Sequence, residues 1–531
     1  MKTEKIRRFT AFLLTFTLFL SLCACSSKND PQSTSNHENA DMTENSVPSD
    51  AEVKETMLEM ETHADFLFQC GMVPVRSGWK WGYVDKSGAY AITPQFDQAE
   101  PFSENGLALV SSGGRYGWID TTGTYVINPQ FSSAHPFEEG LAAVENDDCL
   151  WGLIDETGAY VIEPQFDWIN AFDSGGLAIV EKGYMNYGLI DKTGAYVASP
   201  QFANIGFGED EAFDNNGLAI VALGTETGTE AARYDRYIFG YIDRTGTYVI
   251  NPQFDDAGRF AENGLACVGS GNYINNSTYD ERKYGYIDQT GTYVIPPQFD
   301  EAYAFSENGL ALVCLGKWPE CKYGYIDQTG SYVINPQFKR AESFLENGLA
   351  LVESDGKYGW IDKTGTYVIA PQFGYAESFK DGLAKVYDEN GLHGYINEAG
   401  TYVIPPTMDG MDSFCYGFEN GVSGICQDGK EGLINSEGKY LVKPQYSELD
   451  PVESVGLRCF ANESGRIGYL DVEGNEVISA QFDKSWGVAK HRFYNDGYAI
   501  VQVGSQWGII DCNGKYVINP QFEEIRAPRE Y

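Results

Sequence analysis

The sequence predicts an all-β protein built as a tandem array of about twelve three-stranded units. Three observations support this fold class. One short segment recurs along most of the chain, each copy carries strand signals too short for helices, and a glycine stands at the same turn in every copy. Repeats with a period of roughly 20–50 residues are typical of solenoids, propellers and related arrays. Helical periodicity is almost absent beyond residue 70.

The repeat is clearest when the chain is aligned on an aromatic–glycine dipeptide such as Tyr284-Gly285. Successive glycines are about 39 residues apart on average, which lies within the range of repeat architectures. The aligned glycines are Gly82, Gly117, Gly152, Gly188, Gly240, Gly285, Gly324, Gly359, Gly394, Gly432, Gly468 and Gly508. The regular period therefore predicts twelve copies of one structural unit.

Each unit carries three strand signals, rich in β-branched and aromatic residues. Around residue 285 they are LALV (310–313), YGYID (284–288) and TYVI (292–295). The DQTG turn between the last two ends in Gly291, where a positive φ carries no Cβ penalty. The proline of PPQF is predicted to end the third strand, because proline cannot donate to a ladder. The polar segment DEAYAFSENG (300–309) is predicted to be a loop.

The positions at which the repeats begin and end do not decide whether the array closes into a ring. GMVPV (71–75) looks like an orphan first strand, while the last unit stops after PQFEEI (520–525) without one. The orphan strand could complete the last unit and close a propeller-like ring, which would leave no exposed sheet edge. An open β spiral is the alternative, and two consecutive rings also fit the sequence.

The repeat text resembles the WG repeat family of bacteria, also called KWG repeats. The matching segments include KWGYVDKSGAYAITPQF (80–96), CLWGLIDETGAYVIEPQF (149–166) and SQWGIIDCNGKYVINPQF (505–522). The resemblance covers roughly Gly71 to Phe522, and PPTM (405–408) and AQF (480–482) depart from the pattern. It implies a β-repeat architecture. The family has no established catalytic residues, so it implies no mechanism.

The N-terminus is typical of an export signal. Four basic residues within the first eight precede the apolar segment FTAFLLTFTLFLSLC (9–23), which is short for a membrane span of about 20 residues. LCAC (22–25) resembles a bacterial lipobox, which implies that residues 1–24 are removed and that Cys25 carries diacylglycerol with acyl chains such as palmitate. An ordinary secretory signal is the alternative. We expect a protein anchored to the cell membrane and facing outside the cytoplasm.

The segment after Cys25 is predicted to be a flexible tether. Residues 25–59 contain few large apolar side chains and cannot bury enough surface to offset the entropy of ordering. The segment 51–68 has better helix formers, which favours a short helix beginning near residue 51. The repeat domain is expected to span residues 60–531.

Composition argues against several functions. The formal net charge is −39, from 76 acidic and 37 basic side chains. Nucleic-acid binding is disfavoured, because it requires a basic surface. The five histidines are scattered, and no phosphate-binding loop, dinucleotide fingerprint or zinc-protease motif is present. We therefore expect neither an enzyme nor a bound metal or cofactor, with a hydrolase built from several units as the remaining alternative.

The cysteines predict one disulfide. Cys314 and Cys321 flank a hairpin loop in CLGKWPEC (314–321), which favours a cross-strand bond. Cys415 and Cys426 are a weaker candidate pair. Nine cysteines remain once Cys23 and Cys25 are set aside, and an odd number leaves the complete pairing open.

Two recurring features admit both a functional and a structural interpretation. The aromatic residue before each glycine could form a carbohydrate platform, but a ring packed in the core between units is favoured, with the glycine allowing a close approach of the neighbouring sheet. The turn residue, Asp288 in one unit and Asn397 or Asn435 in two others, could bind calcium. Capping of backbone N–H groups is favoured, because asparagine caps as well as aspartate and one carboxylate per turn is too few for calcium.

Candidate binding residues lie where the units stop repeating. Insertions between the first and second strands lengthen three consecutive units, at 223–239, 269–284 and 314–323. Equivalent loops of an array lie on one face, which is often the binding face. The predicted partner-binding residues are Arg233, Tyr234, Arg236, Tyr237, Tyr273, Tyr279, Arg282, Lys317 and Trp318, because arginine and aromatic side chains are favoured in interface hot spots. We expect a scaffold that binds a protein, with a cell-wall or host polysaccharide as the alternative partner.

Overall fold

The structure of the protein, a computed structural model, describes residues 66–206, 212–225, 236–275, 278–317, 319–409, 418, 421–450, 455–484 and 491–528. The predicted signal peptide, Cys25, the tether and almost all of the predicted helix lie outside these residues. No helix is found in the described part of the chain.

Short strands make up most of this part of the chain. The first half contains β1 (Met72–Ser77), β2 (Lys80–Asp85), β3 (Tyr90–Phe96), β4 (Gln98–Phe102), β5 (Ala108–Ser112), β6 (Arg115–Ile119), β7 (Tyr125–Phe131), β8 (Ser133–Ala134), β9 (Leu141–Glu145), β10 (Trp151–Asp155), β11 (Tyr160–Phe166), β12 (Trp168–Ile169), β13 (Leu177–Glu181), β14 (Tyr187–Asp191), β15 (Tyr196–Phe202), β16 (Asn204–Ile205), β17 (Leu218–Thr225), β18 (Arg236–Asp243), β19 (Tyr248–Phe254), β20 (Asp256–Phe260), β21 (Ala266–Asn275), β22 (Thr278–Ile287) and β23 (Tyr293–Phe299).

The second half repeats the same succession. It contains β24 (Glu301–Phe305), β25 (Ala311–Leu315), β26 (Lys322–Ile326), β27 (Tyr332–Phe338), β28 (Arg340–Ala341), β29 (Ala350–Ser354), β30 (Lys357–Ile361), β31 (Tyr367–Phe373), β32 (Tyr375–Ala376), β33 (Leu383–Tyr387), β34 (Leu392–Asn397), β35 (Tyr402–Asp409), β36 (Val422–Gln427), β37 (Lys430–Asn435), β38 (Tyr440–Tyr446), β39 (Glu448–Leu449), β40 (Leu457–Ala461), β41 (Arg466–Asp471), β42 (Glu476–Asp483), β43 (Tyr498–Val503), β44 (Gln506–Asp511), β45 (Tyr516–Phe522) and β46 (Glu524–Ile525).

The strands pair into twelve antiparallel units. Unit 1 consists of β46 and β1–β3, units 2 to 9 of β4–β35 in consecutive fours, unit 10 of β36–β38, unit 11 of β39–β42 and unit 12 of β43–β45. A single pair, Asp483 with Gln502, joins units 11 and 12 into one seven-stranded sheet. In a complete unit we name the strands a, b, c and d in the order of their pairing.

A complete unit has four strands rather than the predicted three. The segment 300–309, predicted to be a loop, contains strand a of unit 7, in which Ala302 pairs with Val313. Strand d of unit 6 also continues beyond TYVI, through PPQF to Phe299. The prolines are tolerated because strand d pairs on one side only, and an edge strand needs no donor on its free side.

The described chain closes on itself. β1 pairs with β46, with Val75 opposite Ile525. The turn glycine of unit 1, Gly88, lies over Ile518 of unit 12, as the turn glycine of every other unit lies over apolar residues of the unit before it. The orphan N-terminal strand therefore completes the circle of units, a closure that the sequence left open.

The hydrophobic core lies between neighbouring units. Trp118, Ile127 and Phe131 of unit 2 pack with Val144 and Ile154 of unit 3 in one buried cluster. Twelve such clusters correspond to the twelve pairs of neighbours, and one of them joins units 12 and 1. A unit buries its apolar side chains only when both neighbours are present, which is the behaviour expected of repeat proteins.

The aromatic–glycine dipeptide serves this core, as predicted. Tyr284 packs against the cluster between units 6 and 7, and Tyr286, two residues later on the same face, is fully buried in it. The predicted reason for the glycine was wrong in one respect. A Cβ at Gly285 would overlap the carbonyl oxygen of Ile295, on strand d of the same sheet rather than on the neighbouring sheet. The c–d register shifts at this point, which draws strand d over the glycine.

The turn carboxylates are caps, as predicted. Asp288 Oδ1 accepts hydrogen bonds from the backbone N–H of Thr290 at 2.9 Å, the hydroxyl of Thr290 at 2.6 Å and the N–H of Thr292 at 3.0 Å. The hydrogen bond from the Thr290 hydroxyl is the main cause that lowers the pKa of Asp288. Asn397 and Asn435 accept the equivalent backbone bonds, so the cap needs an oxygen rather than a charge.

A ladder of aromatic pairs links the units. Phe299, at the end of strand d in unit 6, meets Tyr332 of unit 7 edge to face, with ring centroids 6.2 Å apart. Equivalent pairs join all neighbours except units 9 and 10 and units 10 and 11, and one of them spans the closure. At the two exceptions the repeat text departs from its pattern, with Met408 in place of the phenylalanine and Glu476 in place of the tyrosine.

Candidate functional site

The three insertions lie in the hairpins between strands b and c, which we call the b–c edge. In unit 8 these strands, β29 and β30, have five residues each. In unit 5 they have eight residues each, and in unit 6 ten each. Two insertions therefore continue the β-ladder beyond the sheet as long hairpins, whereas the third forms a short loop at 316–321.

The structure describes only part of the predicted site. Tyr237 is half-buried and pairs with Gly224, and Lys317 is exposed at the tip of the third insertion. The backbone of Arg236 lies in β18, and Tyr273 pairs with Tyr279 in the β21–β22 hairpin. The remaining predicted residues, Arg233, Tyr234 and Trp318, lie outside the described residues.

The third insertion is cross-linked. Cys314 and Cys321 form a disulfide, with Cα atoms 6.1 Å apart, a distance that suits such a bond. The N–H of Glu320 donates to the carbonyl of Lys317 at 2.8 Å within the loop. The bond joins strand b to the start of strand c, so it restricts the loop that presents Lys317. Cys415 of the alternative pair lies outside the described residues.

Asp300 connects the second and third insertions at their bases. Its Oδ1 binds the ammonium of Lys283 at 2.7 Å, and its Oδ2 accepts the N–H of Gly316 at 2.8 Å. Burial alone would raise the pKa of Asp300, but these hydrogen bonds outweigh it and hold the pKa below its ordinary value. The charged carboxylate therefore fixes two neighbouring hairpins relative to each other.

Arg282, at the base of the long hairpin of unit 6, is also held in place. Its guanidinium lies 3.2 Å from Asp256, and the hydroxyl of Tyr284 donates to the same carboxylate at 2.8 Å. Burial raises the pKa of Tyr284 to about 12, so the phenol keeps its proton at neutral pH. The arginine is thus part of a fixed network beneath the hairpin and is not a mobile surface cation.

Two residues on this edge were missed by the sequence analysis. Trp79, in the b–c turn of unit 1, is 91% exposed, and Tyr184, in that of unit 4, is 72% exposed. Both precede strand c by no more than three residues. Alignment of the b–c turns could have found them, since the equivalent turn in unit 8 contains Asp355 and Gly356.

Metal ligands come together at one place among the described residues. The group is Glu301 with Cys314 and Cys321. The two sulfurs are bonded to each other, which leaves one carboxylate and no set of ligands for a metal ion. The same part of the chain contains no helix that is long and apolar enough to cross a membrane.

The closed succession of β units and the hairpins along one edge define a β-repeat protein. The family model for the WG containing repeat matches residues 81–116, 116–148, 151–184, 187–224, 239–273, 284–317, 323–358, 358–391, 394–430, 432–457, 467–507 and 507–530. The chain belongs to this family, as the sequence analysis predicted. No curated protein matches it.

Solved structures are similar at a coarse level only. The crystal structure of a eukaryotic initiation factor shares 12% identity, with a TM-score of 0.31, over 62% of this chain and 94% of that chain. The computationally designed Ika8 protein shares 13% identity, with a TM-score of 0.22, over 56% of this chain and 95% of that chain. Scores this low indicate nothing about function.

Proposed function

We propose that the protein is a lipid-anchored binding scaffold outside the cytoplasm, and that the b–c edge of units 5 to 7 binds a protein partner. The observation that carries the proposal is the length of the b–c hairpins, eight and ten residues per strand in units 5 and 6 against five in unit 8. The role is binding rather than catalysis.

The chemistry of the edge favours a protein partner. Arginine, tyrosine and tryptophan dominate interface hot spots, and the inserted segments of units 5 to 7 contain Tyr237, Arg282 and Trp318. Asp300 and the disulfide fix the hairpin bases before binding. Rigid contact surfaces lose less conformational entropy on association, which strengthens affinity without added contacts.

Anchoring rests on the lipobox-like segment before Cys25. A flexible tether over residues 25–59 would have a mean reach of about 30 Å, so the repeats would stay near the membrane but free to turn. Replacement of Cys25 by serine is expected to move the protein from the membrane fraction to the soluble fraction. Unchanged membrane retention of the Cys25→Ser variant would contradict the lipid anchor.

The partner surface can be tested by shortening the three inserted hairpins to the length of the unit 8 hairpin. Partners of the full-length chain would be captured by cross-linking on intact cells, and their affinity measured for both forms. Loss of one hot spot of about 2 kcal/mol weakens binding roughly thirtyfold, so we expect at least this loss.

A matched control replaces the b–c turn of unit 2 (112–115) by that of unit 8 (354–357), which alters the same edge without touching an insertion. Its affinity for the partner should stay at the level of the unmodified chain. If every captured partner binds the shortened form at full affinity, the b–c edge of units 5 to 7 is not the binding surface.

A further inference from the structure

A cleft of about 330 Å³ crosses units 7 to 9 beside the third insertion. We call it the tyrosine cleft. Its lining includes Tyr303, Tyr323, Arg340, Glu353, Tyr358 and Tyr375. The volume lies at the lower end of the roughly 300–1,000 Å³ that is common for small-ligand sites.

Tyrosine rings line the tyrosine cleft and remain open to solvent. Tyr303 is 44% exposed and Tyr375 is 48% exposed, both on strands a. Tyr358 lies edge to face with Tyr375, with ring centroids 5.6 Å apart, and Tyr375 meets Tyr387 at 5.5 Å. These contacts hold Tyr375 in position while about half of the residue stays exposed.

Charged groups stand between the rings. The Glu353 side chain is only 6% exposed and binds Lys339 Nζ at 3.2 Å and Arg340 Nε at 3.4 Å. The lysine and arginine side chains are themselves more than half exposed. They keep further N–H donors for a ligand, and at the other end of the tyrosine cleft Tyr323 donates to Glu301 at 2.7 Å.

Aromatic residues are uncommon at these two places of the repeat, and Trp168 of unit 4, 42% exposed, is the counterpart of Tyr375. Tyr303 stands where the preceding unit has Gly258 and the following one has Glu342. Tyr375 stands where those units have Asp256 and Arg340. The inter-unit core forms without aromatic residues at these places, so the fold does not require Tyr303 and Tyr375.

This combination of groups suits a sugar. A pyranose ring has an apolar C–H face that packs on aromatic rings, and a rim of hydroxyls that both donate and accept hydrogen bonds. The tyrosine cleft offers ring faces, cationic donors and carboxylate acceptors side by side. A strongly anionic ligand is disfavoured, because Glu342 and Glu353 line the cleft together with the two cations and the chain carries a net charge of −39.

We propose that the tyrosine cleft binds a neutral oligosaccharide of pyranose units. The sugar rings pack on Tyr303 and Tyr375, and the hydroxyls bond to Arg340, Lys339 and the nearby carboxylates. This ligand is additional to the protein partner proposed above, although Tyr323 borders both surfaces.

The test uses the full-length chain in detergent and three probes, the hexaoses of β-1,4-linked glucose, β-1,4-linked N-acetylglucosamine and α-1,4-linked glucose. Binding is measured by calorimetry. We expect at least one hexaose to bind, and Tyr303→Ala and Tyr375→Ala each to weaken it about tenfold, the loss of one aromatic contact. Tyr375→Phe keeps the ring and should bind nearly as the unmodified chain does.

A matched control is Tyr440→Ala, in strand d of unit 10, because Tyr440 is exposed to a similar degree, 41%, far from the tyrosine cleft along the chain. Its sugar affinity should not change. The proposal is overturned if no hexaose binds, if the two alanine variants bind as tightly as the unmodified chain, or if Tyr440→Ala is weakened equally. The chain with shortened hairpins should still bind the hexaose, so failure of one proposal is distinguishable from failure of the other.

Discussion

Units 6 to 8 and units 9 to 11 share the same strand framework but differ in how they contact their neighbours. In units 6 to 8 each strand d ends in a phenylalanine that meets a tyrosine of the next unit, as Phe299 meets Tyr332. From unit 9 to unit 11 that pair is missing twice, and Tyr446 instead contacts Phe460 with centroids 4.3 Å apart. The glycine under strand d is retained in both regions. The glycine under strand d therefore belongs to the fold of each unit, whereas the phenylalanine–tyrosine pair belongs to the contact between one unit and the next.

The largest expected effect is at the aromatic ladder. Phe299 is fully buried, so Phe299→Ala should reduce the free energy of unfolding by about 3–5 kcal/mol, the usual cost of deleting a buried ring. Tyr446 is half-buried, and Tyr446→Ala should cost less, about 1–2 kcal/mol. Urea unfolding followed by fluorescence measures both. Equal losses would mean that the two regions do not differ in this contact.

The second effect concerns the shared glycine. Gly285→Ala and Gly432→Ala each place a Cβ against the backbone of strand d, 2.5 Å from the Val442 oxygen in the second case. Both should cost about 3 kcal/mol, the upper end of overpacking penalties. Gly258→Ala is the control, because its Cβ would meet only the Cys267 oxygen at 3.5 Å. A clear difference between the first two variants would show that the framework is not shared.

A smaller effect is expected from restoring the ladder. Burial raises the pKa of Tyr446, and the charge of Glu476 raises it further, which places the carboxylate beside the ring. Glu476→Tyr should therefore create an aromatic pair and stabilise the protein by about 0.5–1.5 kcal/mol. Glu473→Tyr, in the adjacent exposed turn, should leave stability unchanged. No gain from Glu476→Tyr would indicate that units 10 and 11 are spaced differently from the others.

The smallest effect is the pH dependence of one turn. The pKa of folded Asp288 is lowered, so its contribution to stability is fully present above the ordinary carboxyl pKa of about 3.9 and is lost as pH falls through the folded value. Asp288→Asn should flatten the fall of the melting temperature in this window, and Asn397→Asp should steepen it. Identical acid profiles for all three proteins would contradict a role for the turn charge.

Periodicity made most of the fold predictable, because it requires only the spacing of glycines and turn residues. Strand a escaped prediction, since a two-residue strand such as Arg340–Ala341 has no pattern of its own. The sequence analysis assigned the wrong sheet to the close approach at Gly285, because a register shift between two strands cannot be recognised in a single sequence. The tyrosine cleft combines side chains from three units, so the proximity of Tyr303 and Tyr375 becomes visible only in the folded structure.

The pairing of β1 with β46 has a consequence for how the protein folds. Contacts at this seam join residues that are far apart in the sequence, such as Gly78 and Glu523, 445 positions along the chain. The entropic cost of closing a flexible loop rises by only about 0.6 kcal/mol for each doubling of its length. Units that have already packed against their neighbours bring the two ends of the chain closer together, which lowers this cost further. The seam should therefore form last, and until it does β1 presents a free strand edge open to aggregation. A closed circle needs no capping repeats, and instead depends on its two ends meeting.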